Sequence, residues 1–148
     1  MTIKQELLQV CNNQVTKRIN DYKSEIEIIK ESISSNEGSK SEEDDGGNGK
    51  LFNDLEKNVE HLNDAYKTQE NLKLVKTNIE SPSVILGSIV KTNTTNFYIA
   101  ISIGKITVNN EDYFAISLSS PIGQLLKNKT VGETIEFNQN KYTIKAIL

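Results

Sequence analysis

Two stretches of this chain carry apolar side chains in an alternating four-three rhythm, and no other feature restricts the fold so tightly. In the first, Val15, Ile19, Tyr22, Ile26, Ile29 and Ile33 keep the spacing, with Leu8 before them and Asn12 as the polar position in the frame. In the second, Leu51, Leu55, Leu62, Ala65 and Leu72 keep it, with Asn58 and Gln69 as polar interruptions. Phe52, Val59 and Tyr66 widen that second stripe. Side chains recurring every 3.5 residues stay turned toward one partner helix. A helix over residues 3–33 would be roughly 46 Å long. Two such helices in one chain bury their seams by folding back on each other, so residues 1–80 are expected to form an antiparallel coiled-coil hairpin.

The far end of that hairpin falls at residues 34–49, SSNEGSKSEEDDGGNG, which hold no large apolar side chain. Gly38, Gly46, Gly47 and Gly49 resist helix continuation, and nothing here offsets the entropy of ordering, so a flexible tip loop is expected. The tip holds Glu37, Glu42, Glu43, Asp44 and Asp45 against Lys40 alone, while the whole chain has a formal net charge of −3. The negative charge is therefore concentrated at one place. By composition an acidic Gly/Ser loop reads first as a solvated linker, while a focused negative tip also suits a cation, a metal centre or a basic channel.

After Ser81-Pro82 the character changes. Short β-like runs fall at 84–91, 96–103, 113–118, 134–138 and 141–147, with turns expected at Asn109-Asn110 and at Asn138-Gln139-Asn140. Ser120-Pro121 opens a short helical stretch, with Ser120 as N-cap and Pro121 in the first helical position. Residues 81–148 are therefore expected to be a small β-rich domain with one short helix, giving an α+β chain in two parts. A general nucleic-acid coat is excluded, since that needs a basic stripe. The single cysteine, Cys11, allows no internal disulfide, and the N-terminal residues lack a secretory core. No apolar run reaches membrane-spanning length, so a cytoplasmic protein without membrane contact is expected.

One string identifies more than a fold class. Residues 116–135, ISLSSPIGQLLKNKTVGETI, resemble the C-terminal domain of the Gre transcript-cleavage factors. The family pattern there runs strand, Ser-Pro-Ile-Gly, short Leu-rich helix, Gly-Lys, then Gly-Asp/Glu before the next strand. Val84-Ile85-Leu86-Gly87-Ser88-Ile89-Val90 looks like that domain's opening strand, and Tyr142-Thr143-Ile144-Lys145-Ala146-Ile147 fits its close. The resemblance implies an FKBP-like fold for 81–148. It also implies a partner, bacterial RNA polymerase, with Ser120, Pro121, Ile122 and Gly123 docking at the rim of the secondary channel and the hairpin entering it. Tip carboxylates would then share an Mg2+ with the polymerase active centre, where a metal-bound water cleaves backtracked RNA.

The tip departs from the family string, Asp-Leu-x-Glu-Asn-x-Glu-Tyr. With Asn48 on the family's Asn, Asp44 falls on the Asp, but Gly47 stands at the Glu and Lys50 at the second Glu. Asp44 and Asp45 are the candidate catalytic carboxylates, with Glu42 and Glu43 as substitutes. No metal is expected on the protein alone, because a mobile tip lacks a closed ligand set. The chain is expected to be an accessory factor and a monomer, touching RNA and DNA only indirectly through the elongation complex. Two alternatives stay open: a Gre-like modulator or inhibitor that occupies the channel without cleavage, and an adaptor for a protein other than polymerase. A prolyl isomerase is suggested only by the implied fold, and the absence of Trp argues against its aromatic pocket.

The remaining chemically suggestive side chains read as structural. His61 flanks the seam without a second histidine or a cysteine cluster, and Tyr22 and Tyr66 fill the coil. Cys11 has no basic neighbour to activate it and is expected to pack against the other helix. No Gly-rich phosphate loop or His-containing triad is present.

Overall fold

The computed structural model describes residues 1–37 and 45–148, the side chains of residues 37 and 45–48 excepted. Two long helices come first, α1 (Ile3–Glu37) and α2 (Asp45–Leu72). Strands β1 (Ile89–Thr92), β2 (Asn96–Ile99), β3 (Gly104–Val108) and β4 (Glu111–Ile116) follow, then α3 (Pro121–Leu126), β5 (Thr134–Phe137) and β6 (Asn140–Ile147). The expected class, a helical hairpin followed by a β-rich domain with one short helix, is the class observed. Contacts divide the chain into two compact units, Val15–Gln69 and the combination of Met1–Gln14 with Glu70–Leu148. Among the described residues no helix is long and apolar enough to cross a membrane.

In the unit Val15–Gln69 the heptad frame does what its spacing requires. Val15, Ile19, Ile26, Ile29, Ile33 and Ala65 are buried, and Leu55 and Leu62 are half-buried. The Tyr22 ring stacks on His61 with centroids 5.5 Å apart, and Lys23 Nζ lies 5.7 Å from the centre of the Tyr66 ring. Tyr22 lies fifteen residues before the end of α1 and His61 sixteen after the start of α2, so the chain has folded back on itself. The helices run further than the expected 34–49 loop allows, since α1 continues to Glu37 and α2 begins at Asp45. Extending a formed helix is far easier than starting one, so Ser34, Ser35 and Asn36 are carried along despite their modest propensity.

In the other unit the seam changes frame. Leu7 and Cys11 are fully buried while Asn12 is exposed, so the inward positions here lie one residue ahead of Leu8 and Asn12 in the coiled-coil frame. The Glu6 carboxylate accepts from Asn109 Nδ2 at 3.1 Å, and Lys4 Nζ donates to the Ile79 carbonyl at 2.8 Å. The start of α1 is thereby tied to the β3–β4 turn and to the segment after α2.

The six strands form one sheet in the order β3-β4-β2-β1-β6-β5. All pairings are antiparallel except β2 with β4. Because alternate side chains leave opposite faces, cross-strand partners sort the sheet into two layers. On one face Val90, Phe97, Ile99, Ile135 and Ile144 form a core with Val84 and with Ile122 and Leu126 of α3. On the other, Ile89 pairs with Tyr98, Tyr98 with Ala115, and Ile106 with Tyr113, all buried. Asn109 and Asn110 have positive φ, 53° and 64°, as a tight hairpin turn with the twist of its strands requires. The sequence reading misses β3. It runs 96–103 as one strand, whereas β2 ends at Ile99 and the buried Ala100 and Ile101 belong to the connection.

Candidate functional site

The string that carries the resemblance lies between β4 and β5, and its apolar members are core. Ile122, Leu126 and Ile135 belong to the buried cluster, and Ile116 and Leu118 pack against it. A six-residue helix cannot hold itself together in water, so α3 depends on those anchors and on its first turn.

That first turn accounts for Ser-Pro-Ile-Gly residue by residue. Ser120 is extended, at φ −66° and ψ 157°, and its Oγ accepts from the Gly123 amide at 3.1 Å, the bond of an N-cap. The same hydroxyl donates to the Ser117 carbonyl at 2.6 Å. Pro121 occupies the first helical position, where its missing N–H and fixed φ suit the helix. Ile122 enters the core. Gly123 is glycine because a Cβ there would collide with the Ser117 carbonyl oxygen and stand 2.8 Å from Ser120 Oγ.

A chain of hydroxyls surrounds the turn. Ser102 Oγ accepts from the Ser117 amide at 3.1 Å and donates to Ser117 Oγ at 3.2 Å. Ser117 Oγ lies 3.1 Å from Ser119 Oγ, and Gln124 Nε2 donates to the Ser119 carbonyl at 3.0 Å. Further along the string, the Glu133 carboxylate accepts from Thr130 N at 2.6 Å and from Thr130 Oγ1 at 3.1 Å. Those bonds, the backbone one first, hold the Glu133 carboxyl below its ordinary value.

Of the four docking candidates, Pro121 is exposed, Ser120 is half-buried, and Ile122 and Gly123 are buried. Pro121 therefore presents the turn to solvent while the other three shape it. Gln124 and Leu125 are exposed beside it on α3. The tip carboxylates stand apart from this turn in the sequence. Glu42, Glu43 and Asp44 lie outside the described residues, and Asp45 is the first residue of α2, its side chain outside the description. Among the described residues no group of three or more His, Cys, Asp or Glu could hold a metal ion.

Sequence reasoning found Ser120 and Pro121 through the capping pattern. It missed Ser102, fifteen residues from its partner Ser117, because no local pattern marks a serine that bonds across a sheet end. The doublet Ser119-Ser120 gave no sign of which hydroxyl would cap.

No family model matches the chain, and no curated protein matches it. Among solved structures, the chain is similar to a structure of the transcription factor Gfh1, with 13% identity and a TM-score of 0.38 over 92% of each chain. It is also similar to the crystal structure of Thermus aquaticus Gfh1, with 16% identity and a TM-score of 0.36, over 91% of this chain and 92% of that one.

Proposed function

We propose that this chain is a Gre-type transcription factor that binds bacterial RNA polymerase as a cytoplasmic monomer. The 120–123 turn docks at the rim of the secondary channel, and the hairpin enters the channel. The observation that carries this reading is the 116–135 string as the fold uses it. Ser120 caps, Pro121 starts the helix, Ile122 anchors it, and Gly123 admits a close approach. A turn that uses each residue type of the string, between two strands and downstream of a helical hairpin, supports kinship with the Gre arrangement over a chance match of four letters. Pro121, with Gln124 and Leu125 alongside, is the part of that turn a partner can reach.

In this reading the metal belongs to polymerase. The candidate ligands Glu42, Glu43, Asp44 and Asp45 carry the cleavage branch from sequence alone. Gly47 and Lys50, at the positions of two family acids, favour the second branch, in which the hairpin occupies the channel and modulates polymerase without cleavage.

A stalled, backtracked elongation complex separates these outcomes. RNA shortening by the wild type that is lost in Asp44→Ala/Asp45→Ala establishes the cleavage branch. Binding without shortening establishes occupancy. Failure to bind polymerase at all sinks the reading and favours an adaptor for another protein.

A further inference from the structure

Ser117 is the hub of the docking turn, and one segment outside the turn holds it. Ser117 follows the last residue of β4, so its N–H lies beyond that strand. Its amide donates instead to Ser102 Oγ at 3.1 Å, and its own hydroxyl receives the Ser102 proton at 3.2 Å. On its other side, the Ser117 carbonyl accepts from Ser120 Oγ at 2.6 Å and from Ser120 N at 3.2 Å. The Gly123 α-carbon packs against that same carbonyl oxygen. Any movement of Ser117 therefore passes directly to the cap and to the start of α3, where Pro121 stands.

Ser102 lies in the connection between β2 and β3. It is exposed, and it is no part of the buried cluster under α3. Ala100 and Ile103 in the same connection already have structural bonds of their own, from Ala100 N to the Ile116 carbonyl at 2.8 Å and from Ile103 N to the Ala115 carbonyl at 3.3 Å. The Ser102 hydroxyl adds nothing to the core and makes both of its bonds to Ser117. A small hydroxyl that both accepts from a backbone amide and donates to a second hydroxyl fixes a loop end in two directions at once.

We propose that Ser102 is a positioning residue for the docking turn, bracing Ser117 so that Pro121 is presented in one orientation to the polymerase rim. The inference rests on the functional reading above. It adds a residue outside the Ser-Pro-Ile-Gly string that acts on the partner only through Ser117.

The test compares wild type, Ser102→Ala and Ser102→Thr as full chains. Two quantities are read: equilibrium affinity for purified bacterial RNA polymerase core enzyme, and hydrogen exchange at the Ser117 and Gly123 amides. Ser102→Ala should weaken binding about three- to tenfold, the range that losing about one net hydrogen bond provides. Its Ser117 amide should exchange faster, while the melting temperature falls by no more than about 4 °C, as for one hydrogen bond lost outside the core. Ser102→Thr keeps the hydroxyl and should restore both quantities. Binding by Ser102→Ala at wild-type strength, or unchanged exchange at Ser117, overturns the inference and leaves the functional reading standing. A larger fall in melting temperature with no rescue by threonine also overturns it, as the mark of a merely structural role. If wild type itself fails to bind polymerase, the functional reading falls, and the brace's role in docking falls with it.

Discussion

The α-carbon of Gly123 lies against the carbonyl oxygen of Ser117 so closely that no side chain fits between them. The obstacle is backbone at both ends, since Leu118 Cα would stand 3.0 Å from the added carbon. A flexible side chain could move aside, but a β4 terminus held by its own bonds does so only with strain. Gly123→Ala is therefore expected to destabilise the fold by about 3 kcal/mol, the upper part of the range for overpacked sites. Urea unfolding measures it, and a loss below about 0.5 kcal/mol, the ordinary scatter of surface substitutions, would contradict the contact.

Ser120 makes a more discriminating case. At most helix N-caps aspartate serves as well as serine, because only an acceptor is needed. Here the hydroxyl also donates to the Ser117 carbonyl at 2.6 Å, which an ionised carboxylate cannot do. Ser120→Ala should cost about 1 kcal/mol, and Ser120→Asp should be no better than alanine, with Ser120→Thr near wild type. Denaturation midpoints of the three variants decide it, and an aspartate variant as stable as wild type would show that the donated bond is unimportant.

On the opposite face of the sheet, the Tyr98 side chain is fully buried and its hydroxyl has no hydrogen-bond partner among the described residues. A buried hydroxyl without a partner gives up hydration for nothing in return. Tyr98→Phe keeps the ring and should leave stability unchanged or raise it by up to about 1 kcal/mol. A calorimetric melt showing a clear loss would mean that the hydroxyl has a partner, such as an ordered water.

The sequence showed the large elements because their signals are repetitive. The helical hairpin follows from a four-three rhythm kept from Val15 to Ile33, and the α3 cap follows from Ser120-Pro121. Where two packing surfaces compete, the pattern misled. Leu7 and Cys11 are the buried residues near the start of α1, where the coiled-coil frame pointed to Leu8 and Asn12, because that stretch belongs with the sheet unit. Strand β3 was hidden because Ile101 and Ile103 prolong the apolar run of β2 past its real end. The candidate docking site was half legible. Local spacing reveals a cap, but not the distant Ser102 or the close approach at Gly123.

Burial makes alkaline stability a readout of the packing near Cys11. Burial pushes the Cys11 thiol from 9.0 up to about 12, and burial first, then the charge of Cys11, raises the Tyr98 hydroxyl as well. A group that holds its proton more tightly when folded contributes stability that is complete below its unfolded value and is lost as pH rises toward the folded one. For Cys11 that window runs from near 9.0 to about 12. Lys4 acts in the opposite sense, because burial lowers its value from 10.5 and stability from that source grows as pH rises through it. Wild type should lose stability between pH 9 and pH 11, and Cys11→Ala should lose less over the same range. Parallel urea midpoints for the two proteins across that range would contradict the assignment to Cys11.

Entry of the hairpin into the polymerase secondary channel, as proposed, can be read from a photo-crosslink placed on α2. Phe52, in the second turn of α2, is 52% exposed and can be replaced by benzoylphenylalanine with little disturbance. Irradiation with RNA polymerase core enzyme should give crosslinks to residues lining the secondary channel, and excess unlabelled wild type should abolish them. Crosslinks confined to other surfaces, or none at all under conditions where the two proteins bind, would contradict the account.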